Sequence, residues 1–366
     1  MRWVTTGALL VHDIDYSTVA ENAAPPDLAA TVSRLLQVET RQQQGETLTF
    51  QGVIREDAAE HLDEVRRLLH PRQLGLWVAP TGGRAAVLVG PLDETHRSNR
   101  LWNFLLLAAT LATTTWAGAF HLGIDLRAQP GRWTAGAPYA LALLTILGIH
   151  ELGHYFTARR RGIQVSLPYF IPAPGYLGTF GSFIRMQGIV RDRAAYFDVA
   201  IAGPLAGFVA ALIALVIGLR GDATAPHGGV VPASSALFAG VYSLVAGGSL
   251  RESVVLGPLA FAGYLGLVVT ALNLAPIGQL DGGHIAYALL GRRRAEVLAT
   301  TIIALMAIVG VLYAPHWLMW AGIAWLIAGR SHPAALDEAR LVGAGRVLLG
   351  GLALFILVAI VLPWPT

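Results

Sequence analysis

His150-Glu151-Leu152-Gly153-His154 lies inside an apolar stretch covering residues 137–156. Roughly 20 apolar residues suffice for a helix to cross a bilayer, so this stretch predicts a transmembrane helix that carries ionisable groups. Two imidazoles four residues apart project from one helix face, one turn above each other, and both can reach a single metal ion. Glu151 lies about 100° round the same helix, beside that ion, where its carboxylate can take a proton from activated water. The spacing therefore marks His150 and His154 as metal ligands and Glu151 as general base. An acid at membrane depth costs about 2.5 to 3.5 kcal/mol on insertion scales, so ionisable residues there are functional by default.

The rest of the chain suits such a setting. Of 366 residues, 54% are hydrophobic and 13% charged, against roughly 25% charged in soluble domains. Thirteen of the 23 acids precede Arg97 and ten follow it, which divides the chain into a soluble module, 1–97, and a membrane-embedded domain, 98–366. Cysteine is absent, excluding disulfides, thiolate metal sites and thiol nucleophiles. Every basic side chain is Arg. Because the arginines cluster between apolar spans, they set topology, and no nucleic acid partner is expected.

The first residues, 1–11, do not read as a cleavable signal, since the short apolar run meets Asp13 and Asp15. Alternation over 46–54 predicts a strand. Leu62, Val65, Leu68 and Leu69 predict a helix over 57–70, and 74–89 reads as a hairpin turning at Gly82-Gly83. A small α+β module results, with nothing catalytic in it. Beyond it, apolar spans cover 101–120, 137–156, 197–219, 254–276, 297–314, 317–328 and 347–362, with 230–246 as a further candidate. The expectation is a mostly α, polytopic bundle of six or seven transmembrane helices.

Arg97 and Arg100 before the first span, Arg159-Arg160-Arg161 after the second and Arg292-Arg293-Arg294 before the fifth belong on the cytoplasmic side. The second span then runs inward, and His150 lies about 13 Å of helix rise from the arginines. Two ligands leave a catalytic zinc one short, because such sites use three protein ligands and an open position. Among the later acids, Asp281 alone is embedded at the end of an apolar span, which by this topology also runs inward; Asp281 is the expected third ligand. Pro276, which deprives the helix of a donor, and Gly282-Gly283, which loosen the backbone after Asp281, predict a broken helix that lets its carboxylate turn inward. His284 is read as packing, and Gly203 and Gly207 as a small-residue pair for close helix approach.

His-Glu-x-x-His in a membrane helix, with Asn273-Leu274-Ala275-Pro276-Ile277-Gly278-Gln279-Leu280-Asp281-Gly282-Gly283 far downstream, resembles the site-2 protease family of intramembrane zinc metalloproteases. Ala202-Gly203-Pro204-Leu205-Ala206-Gly207 and the stretch 178–185 resemble family segments too, in the branch with a soluble amino-terminal module. The resemblance implies a zinc metalloendopeptidase acting in regulated intramembrane proteolysis. His150, His154 and Asp281 would bind Zn2+, with Glu151 catalytic and Asn273 orienting substrate. A transmembrane protein substrate, the lipid bilayer and the bacterial inner (cytoplasmic) membrane complete that expectation, with the active-site opening on the cytoplasmic side.

A helical substrate must unwind before its carbonyls can be attacked. A possible β-hairpin at 165–190, with Thr179, Gly181, Phe183 and Arg185 on one face and Phe180, Ser182, Ile184 and Met186 on the other, would either hold it extended by strand addition or, as a re-entrant or interfacial hairpin, only cover the site. Gly181, Phe183 and Arg185 are the expected substrate contacts. A protease class that cleaves prenylated carboxyl termini needs a Glu ligand, and Glu252, Glu296 and Glu338 all lie outside the apolar spans. The non-enzymatic alternative is a metal-binding scaffold or chaperone for single-span proteins, against which an intact Glu151 argues.

Overall fold

The structure is a computed structural model that describes residues 26–44, 47–69, 71, 74–81, 84–91, 100–187, 190–221, 229–232, 235–247, 253–313, 315–328, 335 and 342–362. The expected turn at Gly82-Gly83, the stretch 1–11, Arg97, Glu252 and Glu338 lie outside them.

The amino-terminal part places α1 (Pro26–Val32) and α2 (Ala58–Leu69) with a four-stranded antiparallel sheet of β1 (Leu36–Gln44), β2 (Thr47–Ile54), β3 (Leu74–Thr81) and β4 (Arg84–Pro91). The strand order is β1-β2-β4-β3. Phe50 pairs with Val87 across β2 and β4, and both are fully buried with Leu35, Leu62 and Val65. Leu62, Val65 and Leu69 share one face of α2 at the three- and four-residue spacing of a buried stripe. Leu68, expected in that stripe, is instead 46% exposed, because it falls about 100° away from Leu69. The sequence did not predict β1. Its polar run Thr40-Arg41-Gln42-Gln43 is that of an edge strand, whose β register comes from pairing with β2.

The described residues from Arg100 onward form α3 (Arg100–His121), a 3-10 turn (Pro130–Gly136), α4 (Ala137–Arg160), α5 (Arg193–Gly221), α6 (Ala236–Ala246), α7 (Pro258–Leu274), α8 (Asp281–Leu290), α9 (Arg292–Leu312), α10 (His316–Ala328) and α11 (Ala344–Val361). Five segments are long and apolar enough to cross a membrane among the described residues: Arg100–His121, Pro130–Arg160, Arg193–Gly221, Arg292–Leu312 and Ala344–Val361. The molecule is thus a helical membrane bundle with a small amino-terminal sheet. Two expected spans form shorter helices than these five. Region 254–276 begins in strand β10 (Ser253–Leu256), paired with β9 (Gly229–Pro232), and α7 starts only at Pro258. Proline suits the first helical position, where no amide donor is needed. The sixth expected span is the 13-residue α10, and the candidate at 230–246 divides into β9 and α6.

At the centre, α4, α5 and α7 pack through Leu143, Leu147, Ala211, Leu215, Phe261 and Leu267. Between α4 and α5 the chain forms the expected hairpin. β5 (Gln164–Val165) pairs with β8 (Met186–Gln187), and β6 (Tyr169–Pro172) with β7 (Thr179–Phe183). Asn103 of α3 donates to the carbonyls of Leu167 and Pro168, so α3 covers the β6 side. The β7 side faces α4.

The predicted two-face alternation of the second hairpin arm is not kept. Gly181 has φ +99, a left-handed conformation that only glycine adopts without strain, and Arg185 lies beyond the end of β7. Phe183 stacks on Tyr169 at 5.3 Å, and Phe180 is 79% exposed.

Candidate metal centre

His150 and His154 stand on successive turns of α4, and Asp281 is the first residue of α8. The histidine Nε2 atoms are 3.1 Å apart, and each lies 3.3 Å from Asp281 Oδ2. All three side chains are buried. Ligand atoms about 2.0 to 2.1 Å from an ion at the centre of a tetrahedron stand about 3.3 to 3.4 Å apart, so the observed triangle has the size of a zinc site. The donor chemistry agrees. His154 Nδ1–H donates to the Val199 carbonyl at 2.7 Å, which leaves the Nε2 lone pair directed at the triangle. Neither oxygen of Asp281 receives a hydrogen bond from the described residues. A fully buried carboxylate without a donor, facing two imidazole nitrogens, needs a cation to offset its desolvation.

Two glycines of α5 make room for these rings. A Cβ at Gly203 would lie 2.1 Å from His154 Nε2, and one at Gly207 2.9 Å from His150 Nδ1. The pair expected to serve helix approach thus packs directly against the histidines. That is the close helix approach expected of the pair, whereas Gly282 and Gly283 differ from expectation. Rather than loosening the chain, they close it: a Cβ on either would come within about 2 Å of the carbonyl of Leu274 or Gly278. The turn from α7 to α8 is therefore compact, and it carries Asp281 under the histidines.

Glu151 is buried beside the triangle. Its Oε1 accepts from Ser182 Oγ at 3.1 Å, while Oε2 has no partner among the described residues. That second oxygen is free to take a proton. Asn273, in the last turn of α7, brings Nδ2 to 3.4 Å from His150 Nε2. His284 lies outside the three-atom cluster, with Nδ1 bonded to the Leu280 carbonyl and its ring stacked on Tyr196. Of the expected hairpin contacts, Gly181 and Phe183 lie in β7 beside the site, whereas Arg185 is displaced from the strand. Ser182 was assigned no role by the sequence, and a serine in an irregular strand carries no signal that it meets an acid 31 residues away.

Residues 138–314 match peptidase family M50. The chain is 36% identical over 236 residues to the protein named "Probable zinc metalloprotease EGY2, chloroplastic" of Arabidopsis thaliana, covering 63% of this chain and 42% of that protein. Arabidopsis EGY1, described in the same words, is 33% identical over 240 residues, 63% of this chain and 43% of its own length. Arabidopsis EGY3, a "Probable zinc metallopeptidase", is 29% identical over 283 residues, or 70% and 48%. The chain spans less than half the length of each of these relatives. No solved structure matches it significantly.

Proposed function

Through residues 138–314 this chain belongs to peptidase family M50, the site-2 protease family, and on that premise we propose that it is a zinc metalloendopeptidase hydrolysing peptide bonds in or near transmembrane segments of other membrane proteins. The observation that carries this reading is the buried triangle of His150, His154 and Asp281 with the unpaired Oε2 of Glu151 beside it. The relatives' names point to zinc, and the ligand spacing fits it.

His150, His154 and Asp281 would hold the ion, which when bound supplies Lewis-acid polarisation of the scissile carbonyl and makes water acidic enough to attack. Glu151 takes the proton at Oε2 and returns it to the leaving amine. Ser182 holds the other carboxylate oxygen, so Glu151 keeps one orientation through both transfers. Asn273 orients the substrate from the end of α7. β7 offers an edge on which an unwound substrate lies extended by strand addition, with Gly181 and Phe183 beneath it and Arg185 beyond the strand end. The alternative of a gripping scaffold that does not cut is favoured by no feature of this site.

The test is direct. Purified full chain, incubated with single-span substrates, is expected to cut them, to carry about one zinc per chain and to lose and regain cleavage as metal is stripped and restored. Cleavage that persists in metal-free protein would remove the mechanism. Ser182→Ala is expected to slow turnover about tenfold with zinc content unchanged, the size of one lost hydrogen bond to a charged group, and Ser182→Thr to recover most of it. Unaltered turnover in Ser182→Ala would show that Glu151 needs no such restraint. Gly203→Ala is expected to weaken zinc binding about 10- to 100-fold, the scale of a disturbed ligand environment; metal titration of the folded variant reads this, and wild-type affinity would mean that the His154 ring can move aside.

The amino-terminal module proposed for 1–97 has a core of its own in its described part, from Leu28 to Val89. Its α2 approaches the membrane domain where Asp63 faces Arg191 at 3.9 Å. The arginine clusters orient the ends of α3 and α4 that carry them, and with them the site opening, towards the cytoplasm. The chain is an integral membrane protein. The expected bacterial inner membrane finds no support among the relatives, which are chloroplastic by name.

A further inference from the structure

Glu151, Tyr155 and Arg159 are spaced four residues apart and form one stripe along α4. The neighbouring stripe of Leu152 and Phe156, 39% and 57% exposed, continues to Arg160 and has the character of a lipid-facing side ending in a headgroup cation. The first stripe instead faces the hairpin. Its lower half opens on a cavity of about 340 Å³ lined by Tyr155, Arg159, Gly162, Ile163, Gln164 and Val165. The hairpin thus touches α4 at two places: Ser182 of β7 at Glu151, and Gln164 and Val165 of β5 at this cavity.

Arg159 is held ready there. Its Nη1 donates to Tyr155 Oη at 3.0 Å, and its guanidinium carbon lies 5.7 Å from the centre of that ring. Arg161 is paired with Asp198, but no carboxylate of the described residues pairs with Arg159. Arg66 of α2 lies near Gly162 at the rim and already faces Asp63 at 3.5 Å. Among the described residues the cavity therefore presents an exposed guanidinium that Tyr155 orients and no carboxylate neutralises. Eight residues of helix rise put it about 12 Å from Glu151, which an extended chain at about 3.3 Å per residue spans in three or four residues.

We propose that this cavity is a specificity subsite that takes an acidic side chain of the substrate, three or four residues from the scissile bond on the side of the arginine-flanked membrane surface. The inference rests on the proteolytic reading of the site. A carboxylate entering the cavity pairs with a planar guanidinium whose orientation Tyr155 has already set, so little side-chain freedom is lost on binding.

The experiment uses the purified full chain in phosphatidylcholine vesicles, with single-span reporters carrying Glu, Gln or Lys at successive positions from the cut. Wild-type protein is expected to favour Glu over Gln up to about fivefold in kcat/KM at the third or fourth position, the scale of an exposed ion pair. Arg159→Gln should bring that ratio to about one, and Arg159→Glu should invert it in favour of Lys. A preference that survives Arg159→Glu overturns the subsite. So does an effect of Arg159→Gln that follows added phosphatidylglycerol and ignores the substrate residue, since the cation would then serve lipid headgroups. Binding of the Glu and Gln reporters to the Glu151→Gln variant separates this idea from the reading beneath it. If wild-type protein cuts nothing, proteolysis falls, while the ratio of the two affinities still judges the cavity; equal affinities reject it.

Discussion

Glu151→Gln is expected to keep its zinc and lose between about 10²- and 10⁴-fold in peptide cleavage, the range contributed by a positioned general base. The substitution preserves shape and lets Ser182 Oγ keep a bond to the amide oxygen, so packing around the triangle is undisturbed. What disappears is the proton acceptor at Oε2, the oxygen that has no partner among the described residues. None of the three ligand atoms belongs to Glu151, hence the unchanged metal content. Single-turnover cleavage of a reporter together with metal analysis of the same preparation checks both halves. Full cleavage by the variant would transfer the base role elsewhere.

Asp281→Ala should act on the metal itself. A four-ligand zinc site is worth about 10 to 16 kcal/mol, so one ligand accounts for about 3 kcal/mol, or 10²- to 10³-fold in affinity. Two features raise the expectation towards the upper end. The carboxylate is the triangle's anionic member, and it is fully buried at the start of α8. Removing it leaves the ion two imidazoles and no anionic ligand, with zinc occupancy and cleavage lost together. Competitive titration with a chelator reads the affinity. A variant that holds zinc as tightly as wild type would show that Asp281 is not a ligand.

These two predictions draw unequally on the sequence. The His150-Glu151-His154 group was legible because helical spacing converts directly into a shared face, and an acid inside an apolar span has no cheap structural excuse. Asp281 was legible by exclusion among the later acids, and its turn inward was foreseen from Pro276 and Gly282-Gly283. The manner of that turn was not. Whether glycines loosen a turn or tighten it depends on the carbonyls of Leu274 and Gly278 opposite them, which local pattern does not encode.

Ser182 marks the same boundary. Residues 165–190 read as a hairpin, but strict alternation placed Ser182 opposite the expected substrate face, and the positive φ at Gly181 cancels that alternation. The shortfall of region 254–276 has a similar origin. Hydropathy sees a continuous apolar run, while pairing of Ser253–Leu256 with Gly229–Pro232 removes its first residues from the helix.

By itself the sequence determined what depends on nearest neighbours along the chain: most of the apolar helices, the paired imidazoles with their acid and the lack of thiol chemistry. Tertiary structure alone decided how close α5 and α8 come to α4, with Gly203 and Gly207 against the histidine rings, Ser182 on the carboxylate and Arg159 over a cavity. Periodicity tells a side chain which way to face, whereas a distance of 3 Å between helices is set by the shapes that meet there.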